Sequence, residues 1–293
     1  MHSIFDIRYY QLIRMKNILI PTDFSENSLN AITYAQEFFK NISCNFYLMH
    51  VTKIFNYAGG ETPLIPSAET IEQTLLKDTK IKLQNLVKKI KSTHSNSKHN
   101  FIPISSYDYF VDAVRNEVVE KKIDLIVMGT KGASGIKEVI VGSNTGDVIT
   151  RVKTPVLAVP ENAKFISPKE IAFPTDYNIF YQTKILNDIS IFMEMHDSRI
   201  RILHVARKDE ELSKFQHENK EYLNDFFADF DHGFYKVTNK KVEAGVQCFV
   251  ESRNINMIVM IAKNLNLFQQ ILFKPTVEEI SYHAHVPFLV LHE

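Results

Sequence analysis

The stretch that decides the fold is IDLIVMGTKGASGIKEVIVGSNTGDVITRV, Ile123 to Val152. Its first part, Ile123 to Met128, is a short apolar, β-branched run bounded by Lys122 and Gly129, which reads as a buried strand of a parallel sheet. A loop follows, and Ser143 opens a helix. The chain has nine glycines, and five of them fall between Gly129 and Gly146. The order is therefore strand, glycine loop, helix N-terminus. A helix N-terminus carries unpaired N–H groups and partial positive charge, so it attracts phosphate. Gly129 and Gly132 would let backbone pass close to a ligand, and Gly142 would turn the chain so that the amides of Ser143 and Asn144 face an anion. The spacing G-x2-G-x9-G-[S/T] is neither the dinucleotide fingerprint GxGxxG nor the P-loop, because no lysine follows Gly142.

Outward from this stretch, strands alternate with helices. NILIPTDFS (17–25) is a strand stopping at Pro21, with Asp23 in the turn and Ser25 as N-cap of a helix carrying Leu29, Ile32, Tyr34, Ala35 and Phe38 or Phe39. NFYLMHV (45–51) is a second strand, followed by a turn-rich loop over 53–68 that could serve as a lid. An amphipathic helix is expected over 69–92, a strand over 100–105, a helix over 107–122, and a last strand in TPVLAVP (154–160). Such alternation implies a parallel α/β sheet whose ligands sit beyond the carboxyl ends of the strands, the edge carrying Asp23 and Gly129.

The chain then repeats itself. IAFPTDYN (171–178) matches ILIPTDFS, ILHVA (202–206) matches YLMHV, NMIVM (256–260) matches DLIVM, and VPFLVLHE (286–293) matches TPVLAVP. Several segments agreeing in order mark an internal duplication. The reading is an extension at 1–15, a first domain at 16–160, a linker at 161–168 and a second domain at 169–293. The second copy is shorter between its second and fourth strands, where one helix over 209–230 is expected. It also lacks the glycines: Ile261 stands for Gly129, Asn264 for Gly132, Lys274 for Gly142 and Pro275 for Ser143. Proline has no N–H, so one donor of the cradle is lost and the second copy should not bind phosphate the same way.

The 293 residues balance 34 Lys and Arg against 34 Asp and Glu. That neutrality points to neither nucleic acid nor an anionic membrane as partner. Cys44 and Cys248 form no metal-binding or disulfide pattern, which suggests a reducing cytoplasm. No apolar run is long enough to cross a bilayer, and MHSIFDIRYYQLIR lacks the core and cleavage site of a signal peptide. His50 and His204 recur at the end of the second strand, where a backbone bond is expected rather than catalysis. His283, His285 and His292 do not have the spacing of a metal site.

PTDFS, the three-glycine segment and TPVLAVP together resemble the universal stress protein family in its tandem form, over nearly all of 16–293. The three-glycine pattern is similar to that of the family's ATP-binding branch. The resemblance implies two doubly wound, flavodoxin- or Rossmann-like five-stranded parallel sheets of order 3-2-1-4-5. Their final strands would pair antiparallel in an intrachain pseudo-dimer, which could pair further as a homodimer. It implies that Asp23 meets the adenosine end near the ribose, that Val51 bonds adenine through its backbone, that Met128, Gly129 and Gly132 line the nucleotide, that Gly142, Ser143 and Asn144 hold the phosphates, and that Pro21 belongs to the same nucleotide-binding set. ATP, ADP or AMP is the implied ligand, with magnesium carried through the phosphates. The expected function is a cytoplasmic ATP-binding stress or signalling protein with one competent site and an unknown protein partner. The alternatives are a weak magnesium-dependent ATPase and a nucleotide-free interaction module.

Overall fold

The computed structural model describes residues 16–52, 70, 74–130, 143–208, 211–263 and 286–292. The extension at 1–15, the 53–68 loop, Gly132, Gly142, Asn264, Lys274, Pro275, His283 and His285 lie outside the described residues.

The first half runs β1 (Lys16–Pro21), α1 (Glu26–Phe38), β2 (Cys44–Thr52), α2 (Lys77–Thr93), β3 (His99–Tyr107), α3 (Phe110–Glu120), β4 (Leu125–Gly129), α4 (Ser143–Arg151) and β5 (Val156–Val159). The second runs β6 (Glu170–Pro174), α5 (Thr183–His196), β7 (Arg199–Ala206), α6 (Lys214–Phe226), β8 (His232–Thr238), α7 (Val242–Ser252), β9 (Met257–Ile261) and β10 (Phe288–Leu291). The strands form one ten-stranded sheet in the order β3-β2-β1-β4-β5-β10-β9-β6-β7-β8. Each half is parallel and doubly wound, with the 3-2-1-4-5 order the resemblance implied. The halves meet at β5 and β10, which pair antiparallel with Phe288 opposite Ala158 and Val290 opposite Val156. Every residue of both joining strands is buried, so the seam is sheet interior.

The apolar patterning explains the layers. In β4, alternate residues face opposite sides of the sheet: Leu125 and Val127 pack on the side of α1, α2, α5 and α6, while Ile126 and Met128 pack on the side of α3, α4 and α7. Both cores draw residues from both halves. Across the seam, Phe38 of α1 meets His196 and Phe192 of α5 at ring-centroid distances of 4.3 and 6.0 Å.

Some expected boundaries move. The helix expected at 107–122 begins at Phe110 because β3 continues beside β2 as far as the pair Thr52–Tyr107. The helix expected from 69 is continuous only from Lys77. In the second copy the helix expected over 209–230 is confined to Lys214–Phe226, capped by Ser213.

Candidate functional site

The turn after β1 is built from its own side chains. Thr22 N–H donates to Met49 O at 2.7 Å, continuing the β1–β2 ladder one step past Pro21. Thr22 Oγ1 accepts from Phe24 N–H at 3.0 Å and pairs with Ser28 Oγ at 2.9 Å. Exposed Asp23 accepts from the N–H and hydroxyl of Ser25 at 3.0 and 2.5 Å, and Ser25 in turn caps α1 by accepting from Ser28 N–H. Phe24 sits at φ 65°, a conformation costly for a bulky side chain. Its ring stacks on His50 at 4.8 Å, and His50 Nδ1 donates to Thr22 O at 2.7 Å. A carbonyl can only accept, which fixes the proton on Nδ1.

The second copy repeats this unit. Tyr177 stands at φ 58° and stacks on His204 at 5.3 Å; His204 Nδ1 donates to Thr175 O at 3.1 Å. Asp176 accepts from Asn178 N–H at 3.0 Å. The two histidines are therefore pins that hold a strained turn, as their position at the strand end suggested. The paired aspartates shape that turn whatever else they contact.

Sheet geometry gathers most of the remaining candidates. β1 pairs with β4 through Ile18–Leu125 and Leu19–Ile126, and the two strands send their helices to opposite faces. The crevice at their carboxyl ends is the switch point of the first half. Pro21 and Met128 are buried beside it, Asp23 is exposed on it, and Gly129 ends β4. Val51 lies one strand away. The β1–β2 register ends at Pro21–Met49, and Met49 O points toward β1. By the alternation of a parallel ladder, Val51 turns its N–H and C=O to that same side, beyond the last β1 rung. His50 contributes here, because its ring takes the Thr22 carbonyl.

Ser143 and Asn144 open α4, and both are exposed. The first turn of α4 holds no acidic residue, so no side chain of that turn offsets the partial positive charge at the start of the helix. Thr145 is buried and donates its hydroxyl to Gly129 O at 2.8 Å, fixing the helix start against the strand end. Sequence reasoning passed over this residue. It also missed Asn27. A Cβ on Gly129 would lie 2.4 Å from Asn27 Nδ2, so the neighbour that demands glycine there belongs to α1.

The second copy builds the corresponding turn and strand end with bulkier side chains, Tyr181 for Ser28 and Ile261 for Gly129. Tyr181 hydrogen-bonds Thr175 through its hydroxyl, and both are buried. α5 starts later in its turn than α1 does, and the side chain of Ile261 packs in the core, buried. His292 donates to Ile149 O at 2.7 Å, tying the end of β10 to α4, and burial lowers its pKa. Among the described residues no group of His, Cys, Asp and Glu could hold a metal ion, and no helix is long and apolar enough to cross a membrane.

Comparison with known proteins agrees with this architecture. The universal stress protein family model matches residues 15–160. Universal stress protein MJ0531 of Methanocaldococcus jannaschii is 33% identical over 153 residues, covering 51% of this chain and 84% of its own length. MJ0577 of the same organism, also a universal stress protein, is 29% identical over 159 residues, covering 50% and 96%. In fold, a universal stress protein from Archaeoglobus fulgidus DSM 4304 superposes with a TM-score of 0.65 at 17% identity, over 94% of this chain and 98% of that one. With the duplicated strained turn, the two parallel halves and the strand–glycine–helix edge already in place, these matches establish that the chain belongs to the universal stress protein family.

Proposed function

We propose that residues 16–160 bind one adenine nucleotide and that residues 169–293, joined through 161–168, form a half without nucleotide. The observation that carries this reading is the carboxyl edge of β1, β2 and β4. It combines an exposed helix start at Ser143 and Asn144, with no acidic residue in its first turn, and the backbone of Val51 beyond the last β1–β2 rung. The residues fit the ligand. Anions suit the first turn of α4, and a flat base can add to the backbone of a strand that runs past its neighbour's last rung. Pro21, Asp23, Met128 and Gly129 border the same crevice, and Gly132 and Gly142 complete the pattern in sequence. Magnesium would arrive on the phosphates. In the second half, the side chain of Ile261 is buried where Gly129 ends β4 in the first. The reading is of binding that signals nucleotide state to a partner protein, with turnover slow at most.

The test is to denature purified protein without added ligand and identify released nucleotide by chromatography and mass, then titrate ATP with magnesium by calorimetry. One nucleotide per chain is expected. Ser143→Asp, which sets a negative charge at the exposed cradle, should weaken ATP by roughly tenfold or more while the fold survives. Two nucleotides per chain would refute the assignment of the second half. No nucleotide released and no heat on titration would refute the site itself.

A further inference from the structure

Whole-chain neutrality argues against an anionic partner only if the charges are evenly spread, and they are not. Between Lys77 and Lys98 lie seven of the 34 basic residues and one of the 34 acidic residues, Asp78, so the rest of the chain is net acidic. Most of these lysines belong to α2. We propose that the outward face of α2 is a docking surface for an anionic lipid membrane, held peripherally by charge.

The face follows from the helix period. α2 buries Thr79, Leu83, Val87 and Ile90 toward β2 and β3 and turns its other side outward. At 3.6 residues per turn, Lys77, Ile81, Lys88 and Lys91 fall within about a quarter of the circumference, with Gln84 among them. All five are exposed, and exposed Lys82 and Lys89 lie on one flank with Asp78. Among the described residues, Lys77, Lys88, Lys89 and Lys91 make no ion pair or side-chain hydrogen bond. The charge of the face rests on these four. Lys80 has a partner, Lys82 Nζ stands 6.0 Å from the centre of the Phe24 ring, and Lys98 donates to Asn41 O. β3 is the end strand of the sheet, so α2 stands at one end of the molecule, where a broad surface can reach it.

The composition of the face selects among polyanions. The cores of protein interfaces are poor in lysine and rich in aromatic residues, methionine and arginine, and α2 exposes none of those three. Nucleic acid is read through arginine forks or aromatic stacking, which the face lacks for the same reason. A layer of lipid headgroups asks for less, point charges on long flexible stems without a fixed geometry. Ile81, 47% exposed among the lysines, adds an apolar contact at the headgroup boundary. The apolar face of α2 is already spent on the protein core, so the attachment is electrostatic and reversible rather than an insertion. The acidic remainder of the chain gives the molecule a charge asymmetry that turns α2 toward a negative surface.

The experiment sediments the full chain with vesicles of phosphatidylcholine containing about 30% phosphatidylserine, and with vesicles of phosphatidylcholine alone, at about 0.1 M salt. Anionic vesicles should retain the chain at millimolar lipid, about tenfold or more better than neutral ones, and about 0.5 M salt should release it. Lys88→Glu combined with Lys89→Glu should reduce retention by roughly tenfold or more, with circular dichroism unchanged. Lys240→Glu combined with Lys241→Glu makes the same charge change at an exposed bend before α7. That chain should stay within about twofold of the parent. A duplex oligonucleotide and a polyglutamate peptide are titrated in parallel. Equal retention by neutral and anionic vesicles, no retention by either, or equal losses in the two double variants would overturn the proposal. Binding of the oligonucleotide or the peptide without vesicle retention would overturn it too, and would reassign the face to nucleic acid or to an acidic protein.

Discussion

At the scale of single residues, Gly129 shows what the sequence disclosed and what it withheld. A glycine ending a buried strand marks a close approach, and the close approach is real. The partner is the side chain of Asn27, some hundred positions earlier in the chain, and no local pattern announces such a contact. Gly129→Ala would set a methyl group 2.4 Å from Asn27 Nδ2. Asn27 is buried and short, so it cannot swing clear, and overpacking of this kind costs about 1–3 kcal/mol. Urea unfolding should show that loss, and Asn27→Ala in the same chain should recover much of it. An unchanged midpoint for Gly129→Ala would mean that the Asn27 contact is not what requires glycine. His50 and His204 were legible for the opposite reason: the repeat itself placed them, and a histidine ending a strand has a carbonyl within reach.

Among the elements, the strands of the first half and the joining strands were readable because each is a compact apolar run between turn residues. β8 was not. HGFYKVT is an edge strand whose residues are mostly half-buried, so it has neither the continuous apolar run of a central strand nor a clean alternation. α6 ends sooner than expected because Phe226, Phe227 and Phe230 extend the apolar signal past the last helical turn; Phe227 is the C-cap and is fully buried. Its start is better defined than that of α5. Ser213 and Gln216 cap α6 reciprocally, while Gln182 gives α5 no side-chain cap. Ser213→Ala should therefore cost about 1 kcal/mol and speed amide exchange in the first turn of α6 while leaving α5 unchanged. If exchange in α6 stayed at the parent rate, the capping box would not be what anchors that helix.

For the whole molecule, the duplication was legible from residues alone, but the sheet order and the antiparallel seam came from family resemblance. Periodicity says that strands are buried without saying which lie side by side. The site was legible as chemistry, a glycine loop before a helix, more than as geometry. The seam itself makes a prediction that neither half would make alone. His196, at the end of α5, packs against Phe38 of the first half and against Phe165 of the connecting segment, at 4.3 and 6.4 Å. Lys169 Nζ donates to its carbonyl, and burial together with that cation lowers the imidazole pKa from 6.5 to about 4. The folded ring is thus neutral where a free histidine is charged. Between pH 6.5 and 4 the unfolded chain holds the extra proton, so stability is complete above that window and falls as pH drops through it. A displacement of that size amounts to roughly 3 kcal/mol at the acid end. His99 and His292, also lowered by burial, act in the same direction. His196→Leu should keep an apolar side chain against Phe38 and remove one proton from the linkage. The slope of unfolding free energy against pH between 6.5 and 4 should then become shallower, while the two chains differ little at neutral pH. Parallel slopes for the two chains would show that the acid sensitivity arises elsewhere and that His196 is solvated in the folded protein.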